Sequence, residues 1–253
     1  MDHKRIALIT GANQGVGFQV AKELAADGVT VLIGSRNLKR GEDAAREIGT
    51  GAIAIHLDVT DRTSIAKAAE RIETEFGRLD LLVNNAGISN TKQEQLDLSL
   101  MDYAALCGPS VASLDEMRVV WDTNVFGALA VYQATLPLLR KGKDARVVIV
   151  GSSLGSMARN ADPECYHRPF YSPVYAASKT ALSAVALSIM IELETTDIKV
   201  NLVSPGFTST KLNRFEGVES LEDGSREVVR VARFGPDDPS GTYTEWENAE
   251  VPW

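Results

Sequence analysis

Cysteine is scarce in this 253-residue chain. Only Cys107 and Cys165 occur, too few for a disulfide scaffold and not in the CxxC spacing of a zinc site. A reducing compartment suits such a composition. Basic residues are in the minority, 26 Lys and Arg against 34 Asp and Glu, which leaves a formal charge of −8. A protein that grips a phosphodiester backbone needs a basic stripe, so nucleic acid is not an expected partner. Long apolar runs are missing too: none approaches the roughly 20 residues of a membrane-spanning helix. The opening Met1-Asp2-His3-Lys4-Arg5 passes into a strand-like run without the apolar stretch of a signal peptide. The expectation is a cytoplasmic protein with no membrane partner. Histidine, at three residues, forms no cluster with Cys or acids that suggests a metal. What is present, 44% hydrophobic and 24% charged residues, is ordinary globular usage and excludes disorder and collagen-like repetition.

Short β-branched runs alternate with longer helix-like stretches: Ile6 to Thr10, then Gly17 to Asp27; Val29 to Gly34, then Leu38 to Ile48; Ile53 to Leu57, then Ser64 to Phe76. Leu79 to Val83, a helix from Asp115 to Leu139, Arg146 to Val150, a helix from Pro173 to Glu194, and Lys199 to Val203 continue the rhythm. Such alternation predicts βαβ units around a parallel sheet with helices on both faces, a three-layer, doubly wound α/β fold in a single domain spanning 1–253. Two mixed-polarity segments, about 89–113 and 154–174, interrupt the pattern after strand ends. Open α/β sheets place their ligand crevice there, so these insertions are candidate substrate walls, with plain surface connection as the other reading.

The first strand ends in Thr10-Gly11-Ala12-Asn13-Gln14-Gly15-Val16-Gly17, followed by an apolar-periodic helix. A strand, a Gly-rich turn and a helix start bring free N–H groups and the positive end of a helix dipole together, which suits a pyrophosphate. Taken alone, such a turn also serves any tight βα connection. Tyr175 and Lys179 are four residues apart, a spacing that stacks both side chains on one helix face. There an ammonium stabilises a phenolate and brings a tyrosine toward acid–base competence.

Thr-Gly-x-x-x-Gly-x-Gly is followed, in order, by Asn84-Asn85-Ala86-Gly87, Asp122-Thr123-Asn124-Val125, Tyr175-x-x-x-Lys179 and Pro205-Gly206-x-x-x-Thr210. This set resembles the main branch of the short-chain dehydrogenase/reductase family, nearest its carbonyl-reductase-like members, over roughly Arg5 to Thr210. The resemblance implies a Rossmann fold with a mostly or wholly parallel seven-stranded sheet, its last strand supplied near Thr242 to Thr244, and a nicotinamide cofactor across the strand ends. It implies cofactor contacts from Gly11, Asn13, Gln14, Gly15, Val16 and Gly17, from Asn85, Ala86 and Gly87, from Tyr175 and Lys179, and from Pro205, Gly206, Phe207 and Thr208. A lid is expected at about 207–224. Asp58 and Val59 resemble the pair that meets the adenine ring in relatives, although a strand-end Asp58 equally suits a helix cap.

After the second strand comes Gly34-Ser35-Arg36-Asn37, where an NAD-selective site offers a carboxylate to the ribose 2′-OH. Arg36 suits a 2′-phosphate instead, so NADP(H) is favoured over NAD(H). Gln14, standing where many NADP-preferring relatives have a cation, argues the other way, and Arg36 has a competing use in pairing with Glu42 or Asp43.

The resemblance assigns Tyr175 as general acid, Lys179 as its cation and ribose partner, and Asn124 as a water-mediated link to Lys179; a buried Asn also serves simply to satisfy backbone groups. For the serine that polarises the substrate oxygen, Gly151-Ser152-Ser153-Leu154-Gly155 departs from the family's Ser-Ser-x-x-Gly. Counting back from Gly155 selects Ser152, with Ser153 as the fallback. The expected activity is reversible reduction of a small-molecule ketone or aldehyde with NADPH. An NAD-preferring dehydrogenase and a cofactor sensor without turnover are the rivals, and both monomer and homo-oligomer are compatible with the sequence.

Overall fold

The computed structural model describes residues 4–92 and 97–253; residues 1–3 and 93–96, the latter inside the first expected insertion, lie outside them. Six strands run parallel: β1 (Ile6–Thr10), β2 (Thr30–Ser35), β3 (Ala52–His56), β4 (Leu81–Asn84), β5 (Arg146–Val150) and β6 (Lys199–Val203). They are joined by β7 (Tyr243–Glu245), parallel to β6, and β8 (Ala249–Glu250), antiparallel to β7. The order across the sheet is β3-β2-β1-β4-β5-β6-β7-β8. The runs IALIT, LLVN and RVVIV are buried along their whole length, as continuous apolar strands must be when helices cover both faces.

The helices are α1 (Gly15–Ala26), α2 (Leu38–Ile48), α3 (Arg62–Phe76), α4 (Leu100–Leu106), α5 (Leu114–Trp121), α6 (Ala128–Leu139), α7 (Met157–Ala161), α8 (Ala176–Leu193) and α9 (Leu221–Ala232). Asn37, Asp61, Ser113 and Ser220 cap α2, α3, α5 and α9 by accepting a backbone N–H in the first turn. One apolar core joins the sheet to α1, α2 and α9 through Val20, Leu24, Ala44 and Val228. The other joins it to α3, α6 and α8 through Ile65, Ile72, Val131, Leu182 and Ile189. The fold is therefore the single-domain, three-layer, doubly wound arrangement that the strand–helix alternation predicts.

Three expectations change. The sheet has eight strands, not seven, because the chain reverses after Glu245, with Asn248 at φ 63°, and returns as β8. Asn tolerates that left-handed backbone better than most residues. The helix expected over 115–139 is α5 and α6 joined by a π-helical segment, Asp122–Gly127. Finally, α8 is long and apolar enough to cross a membrane by length and composition, although the sequence shows no uninterrupted apolar run. Leu182, Ala186, Ile189 and Leu193 are buried against the sheet, which marks α8 as a core helix.

Leu82 lies in the middle of β4, fully buried, beside Leu8 and Val147 on the neighbouring strands. Leu82→Ala leaves a cavity that the strands cannot close, and is expected to cost about 2–5 kcal/mol in urea unfolding. A loss under 1 kcal/mol would mean that the two faces are packed independently of this strand.

Candidate active site

Chain connections leave β1 and β4 in opposite directions along the sheet, and the crevice between their carboxyl ends is the switch point where such folds bind ligands. The turn after β1 is shaped for it. Gly11 and Gly15 take φ values of 65° and 61°, open chiefly to glycine. A Cβ on Gly17 would come within 2.4 Å of the Asn85 amide nitrogen. The Thr10 hydroxyl accepts the backbone N–H groups of Asn85 and Ala86 at 3.0 and 2.9 Å, and Asn85 Nδ2 donates to the Thr10 carbonyl at 2.8 Å. Asn85 thus locks the two loops together. Unlike α2, α3, α5 and α9, α1 starts without a side-chain cap bond, and no acid stands in its first turn; α2 and α3 share only the second of these features. Its N–H groups are left for an anion, and the residues present fit a dinucleotide's pyrophosphate.

At the end of β2, Arg36 is exposed and pairs with neither Glu42 nor Asp43; Asp43 binds Lys39 and Arg46 instead. Burial works to raise the Asp58 carboxyl, but hydrogen bonds from the Thr60 hydroxyl and amide, with the charge of Arg36, hold it below its usual value. The α3 cap is Asp61, not Asp58. Asn37 uses its side-chain oxygen as the α2 cap, and Val59 is buried in the core beside Gly127.

Asn124, Tyr175 and Lys179 lie on the other side of the crevice, where Gly87 faces Asn124 and Lys179. A Cβ on Gly87 would lie 3.3 Å from Asn124 Oδ1 and 3.5 Å from Lys179 Nζ. Asn124, fully buried in the π-helical segment, accepts the Ile88 N–H and donates to the Ile88 carbonyl and to Ser178 Oγ, all at 2.9 Å. Ser178 in turn donates to the Tyr175 carbonyl at 2.6 Å. Lys179 Nζ donates to the Val150 carbonyl at 2.9 Å and sits 5.9 Å from the centre of the Tyr175 ring. Burial lowers Lys179 to about 8. Burial raises the Tyr175 phenol to about 12, against a hydrogen bond with the Ser152 side chain that pulls it down. Of the two candidate serines, it is therefore Ser152 that faces the phenol, while the Ser153 backbone N–H is held by Ser204 Oγ at 2.8 Å.

Residues 5–219 match the family model described as short chain dehydrogenase. The chain belongs to the short-chain dehydrogenase/reductase family. It is similar to the short-chain dehydrogenase anuI of Penicillium roqueforti, 34% identical, with 98% of this chain and 96% of that one covered. It is also similar to a (+)-neomenthol dehydrogenase of Capsicum annuum, 28% identical over 94% and 95% of the two chains. Among solved structures, salutaridine reductase from Papaver somniferum superposes with a TM-score of 0.79 at 25% identity, covering 95% and 99%. A Burkholderia multivorans short-chain dehydrogenase/reductase with bound NADP gives 0.79 at 23%, covering 99% and 100%, and shares the fold.

In this short-chain dehydrogenase the insertions are tied down by residues that the motifs do not reveal. Glu116, buried at the start of α5, accepts the Thr91 N–H at 2.7 Å and the Tyr103 hydroxyl. It reads in sequence as an ordinary first-turn acid after the Ser113 cap. Cys107 is buried beside it, and burial pushes its thiol up to about 11, which makes it inert. Across the crevice, Ser89 Oγ donates to the Leu212 carbonyl at 2.6 Å and Arg214 pairs with Asp97 at 2.6 Å. A separate concavity of about 360 Å³ lies between α1, α9 and Trp246 on the opposite face of the sheet. Its Arg226, Arg230 and Arg233 are all engaged in ion pairs.

Among the described residues the Lys179 ammonium has no carboxylate partner, so its burial opposes folding. Below pH 8 both folded and unfolded chains hold this proton and the penalty is complete, on the order of 3 kcal/mol for the shift involved. Between about 8 and 10.5 the unfolded chain holds more protons and wild-type stability rises with pH. Lys179→Met, which also forfeits the bond to Val150, is expected to stabilise the cofactor-free protein by about 1–3 kcal/mol at pH 7. That advantage shrinks as pH approaches 10.5 in a urea-unfolding series, and a difference independent of pH would contradict the assignment.

Proposed function

We propose that this chain is an NADPH-dependent carbonyl reductase that reversibly converts a ketone or aldehyde to an alcohol. The observation that carries the reading is the meeting of Tyr175, Lys179, Ser152 and Asn124 beside an uncapped, glycine-lined helix start. When bound, the nicotinamide supplies the hydride that the carbonyl carbon accepts. Ser152 donates a hydrogen bond to the substrate oxygen, an interaction that strengthens as negative charge gathers there. Tyr175 delivers its phenolic proton to that oxygen, and the Lys179 ammonium stabilises the phenolate that remains. Asn124 fixes the backbone of Ile88 and the Ser178 hydroxyl, which keeps α8 and the loop after β4 in register around the ammonium. It is the water-bridging partner of Lys179.

The cofactor-binding set is Gly11, Asn13, Gln14, Gly15, Val16 and Gly17 at the pyrophosphate, and Asp58 and Val59 at the adenine. Asn85, Ala86 and Gly87 line the floor, and Pro205, Gly206, Phe207 and Thr208 lie at the nicotinamide. Arg36 and Asn37 serve the 2′-phosphate. The exposed guanidinium of Arg36, which forms no ion pair among the described residues, supports NADP(H); Gln14 is the feature that favours NAD(H). Solved neighbours hold either cofactor, NADH in a Brucella melitensis 3-ketoacyl-(acyl-carrier-protein) reductase and NADP in the Burkholderia protein, so the assignment rests on Arg36. The segments at 89–113 and 154–174 serve as substrate walls and 207–224 as a lid. Thr210 supports this, since its methyl lies 3.7 Å from where a Gly15 Cβ would stand, and so do the contacts from 212 and 214 to 89 and 97. We place the protein in the cytoplasm.

Tyr175→Phe is expected to lower kcat by about 10²–10⁴ in NADPH-coupled carbonyl reduction while leaving NADPH affinity within about twofold by fluorescence titration. Retained turnover would remove Tyr175 from the proton transfer. Arg36→Asp is expected to turn the preference toward NADH. An unchanged ratio of the two affinities would place the 2′-phosphate elsewhere.

A further inference from the structure

The loop that carries Ser152 is held from the far end of the chain. Ser152 has an extended backbone and opens a short 3₁₀ turn, Ser153–Gly155. Its carbonyl accepts two hydrogen bonds, from the Gly155 N–H at 2.8 Å within the turn and from the Tyr243 hydroxyl on β7 at 2.6 Å. Tyr243 is buried, and burial raises its phenol well above the usual tyrosine range, so it is a permanent donor. Its ring packs 5.4 Å from that of Trp253, and the Val251 N–H donates to its carbonyl at 2.9 Å. Two residues further along β7, Glu245 binds Arg159 of α7 through both carboxylate oxygens at 3.0 and 2.7 Å. The Ala158 N–H donates to the Trp253 carbonyl at 3.1 Å. The segment after the catalytic serine is thus strapped to β7 and to residues 251–253 at several points, and only one of those bonds reaches Ser152 itself.

We propose that Tyr243 is a positioning residue for Ser152: its buried hydroxyl fixes the peptide on which the serine hydroxyl is aimed at Tyr175 and at the substrate oxygen. The inference rests on the functional reading above for the role of Ser152. It makes Tyr243 the second tyrosine of the site, one that never exchanges its proton with substrate. Removing its hydroxyl leaves one Ser152 carbonyl bond unmade in a buried place, and the peptide can tilt about the two bonds that remain, from the Gly155 N–H to its carbonyl and from the Ser153 N–H to Ser204 Oγ. A displacement of this kind lowers the chemical step more than it alters ground-state binding.

The test compares Tyr243→Phe, Ser152→Ala and the double variant in the full-length protein. Tyr243→Phe is expected to lower kcat about tenfold, with KM for the carbonyl and the NADPH dissociation constant each within about twofold. In the Ser152→Ala background the same change is expected to have no further effect, because a residue acting through Ser152 loses its influence with the serine gone. An equal loss in both backgrounds would show that Tyr243 acts independently of Ser152 and would overturn the proposal. A crystal structure of Tyr243→Phe is expected to show the Ser152 hydroxyl moved away from the Tyr175 phenol; an unmoved hydroxyl overturns the proposal whether or not any carbonyl is turned over. Wild type that leaves every carbonyl in a broad panel unreduced would count against the functional reading, and the crystallographic comparison would still decide the role of Tyr243.

Discussion

A buried ammonium without a counter-ion is the constraint on which this site turns. Lys179 is 4% exposed, and its charge is met by the Val150 carbonyl and the face of the Tyr175 ring, with no carboxylate among its described partners. A carboxylate there would relieve the desolvation cost and neutralise the potential that the phenol needs. Left unneutralised, the charge lowers the free energy of whatever anion forms beside it, and the anion that can form is the Tyr175 phenolate. The penalty is met by the apolar cores on either side of the sheet. The core between the sheet and α3, α6 and α8 holds α8 through Leu182, Ala186, Ile189 and Leu193, which keeps the ammonium in its buried place.

The π-helical segment serves the same constraint. An extra residue in the turn between α5 and α6 lets Asn124 face the loop after β4 while Val120, Val131 and Leu138 keep their places in the packed interior. Among the described residues its amide then forms its hydrogen bonds with Ile88 and Ser178. These bonds are those of a buried Asn that satisfies backbone groups, and its place in a proton route belongs to the proposed mechanism. By holding the Ile88 peptide it fixes the wall that Gly87 opens toward Lys179, and a Cβ on that glycine would crowd both polar atoms.

Much of this was legible in sequence because it is local. The glycine spacing after β1, the period-four placement of Tyr175 and Lys179, and the unbroken apolar strands each leave a mark within a dozen residues. The choice of Asn124 and Ser152 comes from family resemblance, and the structure adds their contacts with Ile88, Ser178 and Tyr243. What stayed hidden is long-range. Glu116 reads as a routine helix-start acid until its burial against Tyr103 and Thr91 is seen, Tyr243 lies 91 residues from the carbonyl it holds, and β8 is two residues long. None of these contacts imposes a period on the chain, so the sequence carries no local signal of them.

The two phenols illustrate how position divides one chemistry into two tasks. Both are raised by burial, but Tyr175 opens onto the crevice, faces the Ser152 hydroxyl and lies beside an ammonium. Each of those neighbours favours the anion. Tyr243 is enclosed between the sheet and Trp253, points at a carbonyl that accepts and cannot donate, and has the Glu245 carboxylate two residues away working to raise it further, against the Arg159 guanidinium and the Ser183 hydroxyl. A proton lost from Tyr243 would leave two oxygen lone pairs in opposition in a dry interior, so this hydroxyl remains a donor. The serine between them has its carbonyl held by Tyr243 and its side chain turned to Tyr175, and so links the two phenols.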